Sequence, residues 1–314
     1  MLLYGGRRVE VGDVPRPGLR PGWAVVESEL SGVCGTDKAF YVGSYRLFKV
    51  PLVPGHEVVG RVVGGPESLV GFRVVSEINF PCWSCDYCKS GLYTHCPHKN
   101  TLGIDFDGGM AEFFTAPASA LHVFRGPPEL GIFVEPLAAI LRALSLKPLK
   151  PQDRVAVIGT GNVAWLTVQA LKVMGFKVDV IARRGSYKAG VFKGLADIVY
   201  VDEVEHNSYD VVFEASGSPE ALNLAIGIAK PMGAIHLKST PGSQAQAAMT
   251  WAVVKELQII GSRCGTFRDF KLAIRLLEDR LVEPRLDSVY SIESAGDAFE
   301  ESLNPRYFKV AVKP

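Results

Sequence analysis

Two short motifs near the amino terminus carry side chains that bind metals. Cys34 is followed closely by Thr36 and Asp37, and further along the chain His56 is followed by Glu57. A reactive zinc ion usually takes three protein ligands from Cys, His and carboxylates and leaves a fourth position open. We predict that Cys34 and His56 are two of these ligands, and that Asp37 accepts the second ring N–H of His56. Thr36 would then place a hydroxyl beside the metal, where it takes a proton from a bound alcohol.

The alternative for these two motifs is structural. Free cysteine is among the most buried residue types, so Cys34 alone is also consistent with a small core residue and His56 with a satisfied loop histidine. The two motifs together favour the metal site.

Four cysteines form a second, denser cluster. Cys82, Cys85, Cys88 and Cys96 follow the spacing C-x2-C-x2-C-x7-C. Four thiolates at this spacing can surround one tetrahedral ion and leave no position for a substrate, so we predict a structural zinc site. An iron–sulfur cluster is the alternative, but the last gap is seven residues and the sequence holds no second cluster.

A glycine-rich motif follows the apolar run 154–158. The motif Gly159-x-Gly161-x-x-Ala164 is followed by a helical pattern over 165–174 and a second strand pattern over 177–182. This is the strand, turn and helix context in which backbone N–H groups bind a dinucleotide pyrophosphate. The cofactor-binding residues predicted in this turn are Gly159, Thr160, Gly161, Asn162 and Val163.

The end of the second strand indicates which dinucleotide binds. A site for NAD places a carboxylate there to bind the ribose 2′-hydroxyl, but this chain has Arg183 and Arg184, followed by Lys188. Guanidinium groups suit a 2′-phosphate, so NADP is preferred over NAD; a solvated basic turn is the alternative. Further cofactor contacts are predicted where later strands end, at Ser216, Gly217 and Ser239.

Composition and charge argue against several classes of protein. The chain has 314 residues, which suggests two domains, and a formal net charge of +1, which argues against a nucleic-acid partner. Residues 1–8 lack a secretory apolar region, and no apolar run is long enough to span a membrane. We therefore expect a cytoplasmic protein with six reduced cysteines.

The periodicity of apolar residues predicts two kinds of architecture. The first part of the chain has short strand patterns separated by Gly and Pro, which suggests a partly open β-barrel. After residue 152, strands alternate with helices, which predicts a doubly wound parallel sheet. The short strands predicted in that second part are at 196–200, 209–215, 234–237 and 257–261. The carboxyl-terminal segment is expected to return to the first domain.

At the start of a further helical pattern, Glu135 stands before Pro136. With the motifs around Cys34, His56 and Gly159 and the four cysteines, this order resembles the medium-chain, zinc-dependent alcohol dehydrogenase family, most closely its sorbitol, threonine and glucose dehydrogenase branch. The alternative for Glu135 is an ordinary carboxylate at a helix N-terminus. The resemblance implies a GroES-like catalytic domain formed by residues 1–135 and 264–314, and an NADP-binding Rossmann domain formed by 136–263.

The resemblance also implies a site and a reaction. Cys34, His56 and Glu135 would hold one catalytic zinc ion per chain, with Glu57 as an alternate ligand. Zinc would act as a Lewis acid and Thr36 as the proton relay while a hydride passes between NADP(H) and a secondary alcohol, ketone or aldehyde. A sugar or polyol dehydrogenase and a catalytically silent NADP-binding protein of the same fold are the alternatives. By analogy the chain would form a homodimer or homotetramer.

Two positions depart from the family pattern. Ala39 stands where many members have a proton-relaying histidine, and Phe40 where the sorbitol enzymes have tyrosine. We expect Phe40, Ile78, Phe80 and Phe106 near the cleft, which favours an apolar alcohol or ketone over a sugar.

Overall fold

The computed structural model describes residues 1–240, 244 and 246–314. The backbone divides into two compact units. The first consists of Met1–Ala138, Cys264–Asp279 and Arg285–Pro314, and the second of Ala139–Arg263 and Arg280–Pro284. Both chain ends therefore belong to the first unit.

The strands and helices of the described residues follow in chain order. The strands are β1 (Leu2–Gly5), β2 (Arg8–Glu10), β3 (Trp23–Gly32), β4 (Glu57–Gly64), β5 (Arg73–Ser76), β6 (Asn79–Phe80), β7 (Asn100–Thr101), β8 (Phe113–Pro117), β9 (Leu121–Val123), β10 (Val155–Ile158), β11 (Val178–Ala182), β12 (Asp197–Tyr200), β13 (Tyr209–Glu214), β14 (Ala229–Leu237), β15 (Gln258–Gly261), β16 (Ser288–Ser291) and β17 (Val310–Lys313). The helices are α1 (Gly35–Val42), α2 (Asp86–Lys89), α3 (Pro128–Gly131), α4 (Val134–Leu146), α5 (Asn162–Val173), α6 (Ala221–Ile228), α7 (Met249–Val254), α8 (Phe267–Glu278) and α9 (Ala295–Ser302).

The main sheet of the first unit is mostly antiparallel. Its strands follow the order β16-β17-β3-β4-β5-β9, with β8 pairing beside β3. The long strand β3 pairs with β4, β8 and β17, so the last strand of the chain is joined to the amino-terminal region. The alternating apolar residues of β3 and β4 pack into one core with Phe80, Leu102 and Phe114. This sheet supports the loops that carry Cys34 and His56.

The second unit contains a six-stranded parallel sheet in the order β12-β11-β10-β13-β14-β15. Numbered from β10, this is the order 3-2-1-4-5-6 of a doubly wound dinucleotide-binding sheet, in which the order of successive strands reverses between β10 and β13 while all strands stay parallel. All four residues of β10 are buried, as expected for a strand covered on both faces. The predicted doubly wound sheet is confirmed.

The boundaries of the two units differ by a few residues from the predicted domain boundaries. Residues 136–138 belong to the first unit, so the boundary lies within helix α4 rather than at its start. Residues 280–284 belong to the second unit, because the Glu283 carbonyl accepts hydrogen bonds from the side chains of Trp165 and Gln169 in α5, at 2.9 and 2.8 Å.

Within the described part of the chain, none of the helices has both the length and the apolar character needed to cross a bilayer.

Candidate functional site

The Cys34 motif lies where β3 passes into α1. Cys34 is extended and immediately precedes the helix, and its backbone N–H donates to Oδ2 of Asp37 at 2.8 Å. A carboxylate in the first helical turn that accepts this N–H satisfies one of the donors that a helix start leaves unpaired. Asp37 is fully buried and Thr36 is half-buried in the same turn. The sequence around Cys34 therefore fixes the thiol by folding the helix start around Asp37.

A tight glycine turn positions His56. Gly55 has a φ of +101°, and a Cβ there would lie 2.6 Å from Oγ of Ser31 and 2.7 Å from the backbone nitrogen of Met110. The backbone N–H of Gly109 donates to the Gly55 carbonyl at 2.7 Å. This hydrogen bond holds the turn that carries His56 against a second loop.

These elements bring three possible ligands together. Ligand atoms of Cys34, His56 and Glu57 all lie within 4.8 Å of one another. Glu135 lies outside this group, half-buried in the first turn of α4, but its negative charge acts on His56. The structure thus brings together the predicted pair Cys34 and His56, and it places the predicted alternate ligand Glu57 closer to them than Glu135.

A buried lysine that the sequence analysis missed contacts this group. Nζ of Lys309, which is 4% exposed, donates to Oε2 of Glu57 and forms an ion pair with it. The carboxylate fits because residue 32 is glycine; a Cβ there would lie 2.6 Å from Oε2 of Glu57. The available sequence signal was weak: a lysine directly before the apolar last strand β17. Because charges are rarely buried unpaired, this lysine indicates a buried anionic site.

The predicted hydrogen bond between Asp37 and His56 is wrong in detail. Oδ1 of Asp37 lies 3.7 Å from Nδ1 of His56, beyond hydrogen-bonding distance. Among the described residues neither of these two atoms has a hydrogen-bond partner. The other oxygen of Asp37, Oδ2, accepts from the backbone N–H of Cys34. The two groups are close enough for a charge interaction.

The electrostatics of the group suit a cation. Burial alone would lower the pKa of His56, but the nearby Asp37 carboxylate and Cys34 thiol outweigh it and raise that pKa well above its usual value. Burial would likewise lower the pKa of Lys309, yet Glu57 and then Cys34 leave it raised. A surplus of anionic groups therefore draws protons onto the two bases, and a divalent cation would satisfy the same surplus. The donor set fits zinc, since Cys, His and carboxylate are all zinc ligands.

The four-cysteine cluster has the dimensions of a tetrahedral metal site. Sulfur–sulfur distances are 3.5 Å for Cys85 and Cys88, 3.7 Å for Cys85 and Cys96, and 3.5 Å for Cys96 and Cys82. Four sulfurs about 2.3 Å from a zinc ion would lie about 3.8 Å apart. The cluster therefore fits a closed zinc site, as its spacing predicts.

The thiols of this cluster ionise unequally in the protein alone. The Ser84 hydroxyl, which donates to the sulfur of Cys82, lowers the pKa of Cys82 to about 5. Burial raises the pKa of Cys88 to about 12. The pKa values of Cys82 and Cys88 are thus shifted in opposite directions, and a bound cation would favour the thiolate form of both.

In the second unit, the predicted glycine turn joins β10 to α5. Gly159 has a φ of +117°, and a Cβ there would lie 2.9 Å from the Ala215 carbonyl. Gly161 precedes the first helical residue, Asn162, whose buried Oδ1 has no hydrogen-bond partner among the described residues. Val163 lies in the same first turn. A close-packed glycine turn that leads into a helix N-terminus fits a bound pyrophosphate, because the donors there are backbone N–H groups.

The basic residues after β11 have different surroundings. Nε of Arg184 donates to Asp202 at 2.7 Å, its Nη2 donates to Glu203, and its guanidinium lies over Tyr200. Arg184 is thus paired with two exposed carboxylates, with which a phosphate would have to compete. Arg183 is exposed, and its charge reaches Glu220.

The same loop lies beside the glycine turn. The hydroxyls of Ser186 and Thr160 are 2.9 Å apart. Lys188, two residues after Ser186, is half-buried. The end of β11 and the glycine turn therefore face a common space, as a dinucleotide site requires.

The buried carboxylate of Glu214 accepts hydrogen bonds from two residues that were predicted to contact the cofactor at the ends of β13 and β14. Oε1 of Glu214 accepts from the backbone N–H and hydroxyl of Ser216, at 2.8 and 2.7 Å, and its other oxygen accepts from the Ser239 hydroxyl. Gly217 has a φ of +76° and allows the turn that follows. The sequence analysis missed Glu214, although a carboxylate ending an apolar strand was a usable signal.

The predicted apolar wall is wrong for Phe40. Its fully buried ring belongs to a core with Met1 and Leu3, whereas Phe80 and Phe106 pack on Trp23 in a different core. The aromatic residues therefore do not support an apolar substrate. Helical periodicity explains the difference, since it places Phe40 on the buried face of α1.

Two successive segments of the chain match known protein families. Residues 20–126 match the family described as "Alcohol dehydrogenase GroES-like domain", and residues 162–279 match the family described as "Zinc-binding dehydrogenase". The predicted fold class, a GroES-like part and a Rossmann part, is thereby confirmed.

Several similar proteins cover almost the whole chain. D-arabitol-phosphate dehydrogenase of Enterococcus avium is 26% identical, over 92% of this chain and 89% of its own length. Alcohol dehydrogenase of Geobacillus stearothermophilus is 27% identical, over 94% and 92%. A solved structure from Sinorhizobium meliloti, described as a zinc-binding dehydrogenase bound to NADP, is 27% identical with a TM-score of 0.88, over 100% of this chain and 98% of its own.

Proposed function

This chain belongs to the medium-chain, zinc-dependent alcohol dehydrogenase family, and we propose that it transfers a hydride between NADP(H) and a small alcohol or its carbonyl counterpart. The observation that carries the proposal is the approach of Cys34, His56 and Glu57 ligand atoms to within 4.8 Å of one another. When bound, zinc supplies Lewis acidity at this group and the nicotinamide carries the hydride.

Each residue of the group has a distinct proposed role. Cys34 and His56 hold the metal, and Asp37 positions both, because it binds the Cys34 backbone and lies beside the His56 ring. Thr36, two residues after Cys34, moves the substrate proton through its Oγ1. The second zinc ion, at the four cysteines, has a structural role and takes no part in the reaction.

We propose Glu135 as the third ligand and Glu57 as an alternate one. Glu57 is already paired with the buried Lys309, so to bind a metal it would have to leave that partner in a site where unpaired charges are costly. Glu135 stands in the first turn of α4, close enough for its charge to act on His56.

We expect Glu135→Gln to lower the zinc content from two ions per chain to about one, because the amide is a weaker ligand than the carboxylate. The matched variant Glu57→Gln should keep both ions. Metal content after dialysis, measured by mass spectrometry, distinguishes them; loss of zinc from the Glu57 variant alone would assign the third ligand to Glu57.

We propose Arg183 rather than Arg184 as the main ligand of the NADP 2′-phosphate, because Arg184 is held by Asp202 and Glu203. Arg183→Ala should raise the KM for NADPH about tenfold and leave that for NADH unchanged, since a charge-assisted hydrogen bond contributes about 1.5–3 kcal/mol. Arg184→Ala is the matched control with a smaller effect. Equal changes with both cofactors would reject a 2′-phosphate contact at Arg183.

The proposed substrates fall into two classes. We propose secondary alcohols and ketones first, because a relative at 27% identity is named as an alcohol dehydrogenase. Polyols are a second candidate, because relatives at 26–27% identity are named as arabitol-phosphate and arabinitol dehydrogenases. Turnover of alcohols, sugar alcohols and aromatic ketones with NADPH and NADH separates the two classes. Assembly into a homodimer or homotetramer is part of the same proposal and is checked by light scattering.

A further inference from the structure

A cavity of about 240 Å³ lies in the first unit, beside the four-cysteine lobe, and Cys34, His56 and Glu57 are not among the described residues that line it. Its walls include Glu77 and Asn79 from the segment before the lobe, Trp83 and Tyr93 from the lobe itself, and Phe267 from the start of α8. An apolar cavity of about 150 Å³ is large enough to bind benzene in another protein. This cavity therefore has room for a ligand containing a single ring.

A hydrogen-bond network holds a carboxylate in the cavity wall. Glu77 is 4% exposed; the Tyr93 hydroxyl donates to its Oε2 at 2.9 Å, and Nε2 of His122 lies 3.0 Å from its Oε1. The backbone N–H of Phe267 in turn donates to the Tyr93 hydroxyl. The network ties the lobe to α8 and fixes the position of the Glu77 charge.

Asn79 adds a second acceptor to the same wall. Its side chain is buried, Nδ2 donates to Sγ of Cys264 at 3.0 Å, and Oδ1 has no hydrogen-bond partner among the described residues. The described residues that line the cavity include no lysine or arginine. Both oxygens of Glu77 are already paired with Tyr93 and His122, so the acceptor in this wall that has no partner among the described residues is Oδ1 of Asn79.

The aromatic part of the wall is oriented by the lobe. The Trp83 and Tyr93 rings lie 5.1 Å apart and are tilted by 35°. Trp83 is 54% exposed, and its backbone has a φ of +57°, a conformation that bulky residues rarely adopt unless their surroundings impose it. Because ring faces attract cations, this arrangement adds to the negative wall.

From these observations we propose that the cavity is a binding site for a small organic cation, an ammonium group carried on a single-ring or short aliphatic body. The ammonium would be attracted by Glu77, would donate to Asn79 and would lie against the aromatic faces of Trp83 and Tyr93. The body of the ligand would fill the apolar space towards Phe267. This site is separate from the proposed hydride-transfer reaction and does not depend on it.

Isothermal titration of the zinc-loaded, full-length protein with three ring compounds of similar size tests the charge preference. Benzylammonium should bind at least tenfold more tightly than neutral benzamide, and benzoate should not bind. The Cys34→Ala variant should bind benzylammonium as the wild type does, which separates this cavity from an amine bound at the catalytic metal. Equal binding of the three compounds, no binding of benzylammonium, or dependence on Cys34 would overturn the proposal.

Variants of the wall test the location. Trp83→Ala and Glu77→Gln should each weaken benzylammonium binding about tenfold, because one removes a ring face and the other the negative charge. Trp83→Phe keeps a ring and should bind within about threefold of the wild type, so that damage to the lobe is separated from loss of the ring. Trp251→Ala, an exposed tryptophan in α7 of the second unit, is the matched control and should change nothing. The proposal fails if Trp83→Ala and Trp251→Ala behave alike.

Discussion

Replacing Cys34 by alanine should abolish turnover while leaving NADPH binding intact. Cys34 supplies the only sulfur of the proposed catalytic group, and outer-shell residues of metal sites alone contribute about 10- to 100-fold to metal affinity or activity. Loss of a direct ligand should therefore lower kcat/KM by roughly 1000-fold or more. Steady-state kinetics with NADPH and a panel of ketones measures the loss, and cofactor fluorescence measures the binding.

The chain provides a matched control for this experiment. Cys264 is a buried cysteine outside both proposed metal sites, and Cys264→Ser keeps a group that can accept from Asn79. This variant should keep two zinc ions and the turnover of the wild type. If Cys34→Ala retained wild-type turnover, or if it lost NADPH binding as well, the role assigned to Cys34 would be wrong.

The largest expected effect on stability follows from Cys88→Ser. Cys88 is buried, and its sulfur lies 3.5 Å from that of Cys85. Without its metal the lobe would leave packed thiols with too few apolar neighbours, since structural zinc supplies folding free energy directly. A loss of about 4 kcal/mol would lower the Tm by roughly 10 °C, at about 2–4 °C per kcal/mol for a unit of this size.

Calorimetry and metal content together check this prediction. The variant should contain one zinc ion per chain instead of two, and its Tm should be lower than that of Cys264→Ser. A Cys88→Ser protein that keeps both ions and melts with the wild type would show that the four cysteines do not form a structural metal site.

Motifs whose residues are adjacent in sequence predicted the parallel sheet and the four-cysteine site. The glycine turn at Gly159 and Gly161 is a short-range signal, because its strand, turn and helix are adjacent in sequence, and the doubly wound sheet follows from it. The four-cysteine cluster is similarly local, and its sulfurs lie as close together as the spacing requires.

Contacts between distant residues were harder to predict. Lys309 pairs with Glu57 across 252 positions of sequence, and no local pattern joins the two. The pairing of Arg184 with Asp202 and Glu203 was likewise not predicted, because sequence order does not reveal that these carboxylates lie beside it. Phe40 was placed near a cleft because the family pattern was read without the helix face that buries it.

The most direct test of the central claim is the return of zinc to chelator-treated protein during assays of NADPH- and NADH-dependent turnover. A carboxylate ligand should hold the catalytic ion less firmly than thiolates hold the structural one. We predict that activity disappears with the first zinc ion lost per chain and returns when one equivalent is restored, while the four-cysteine ion stays bound. Full turnover by protein that holds zinc only at the four cysteines would contradict the account.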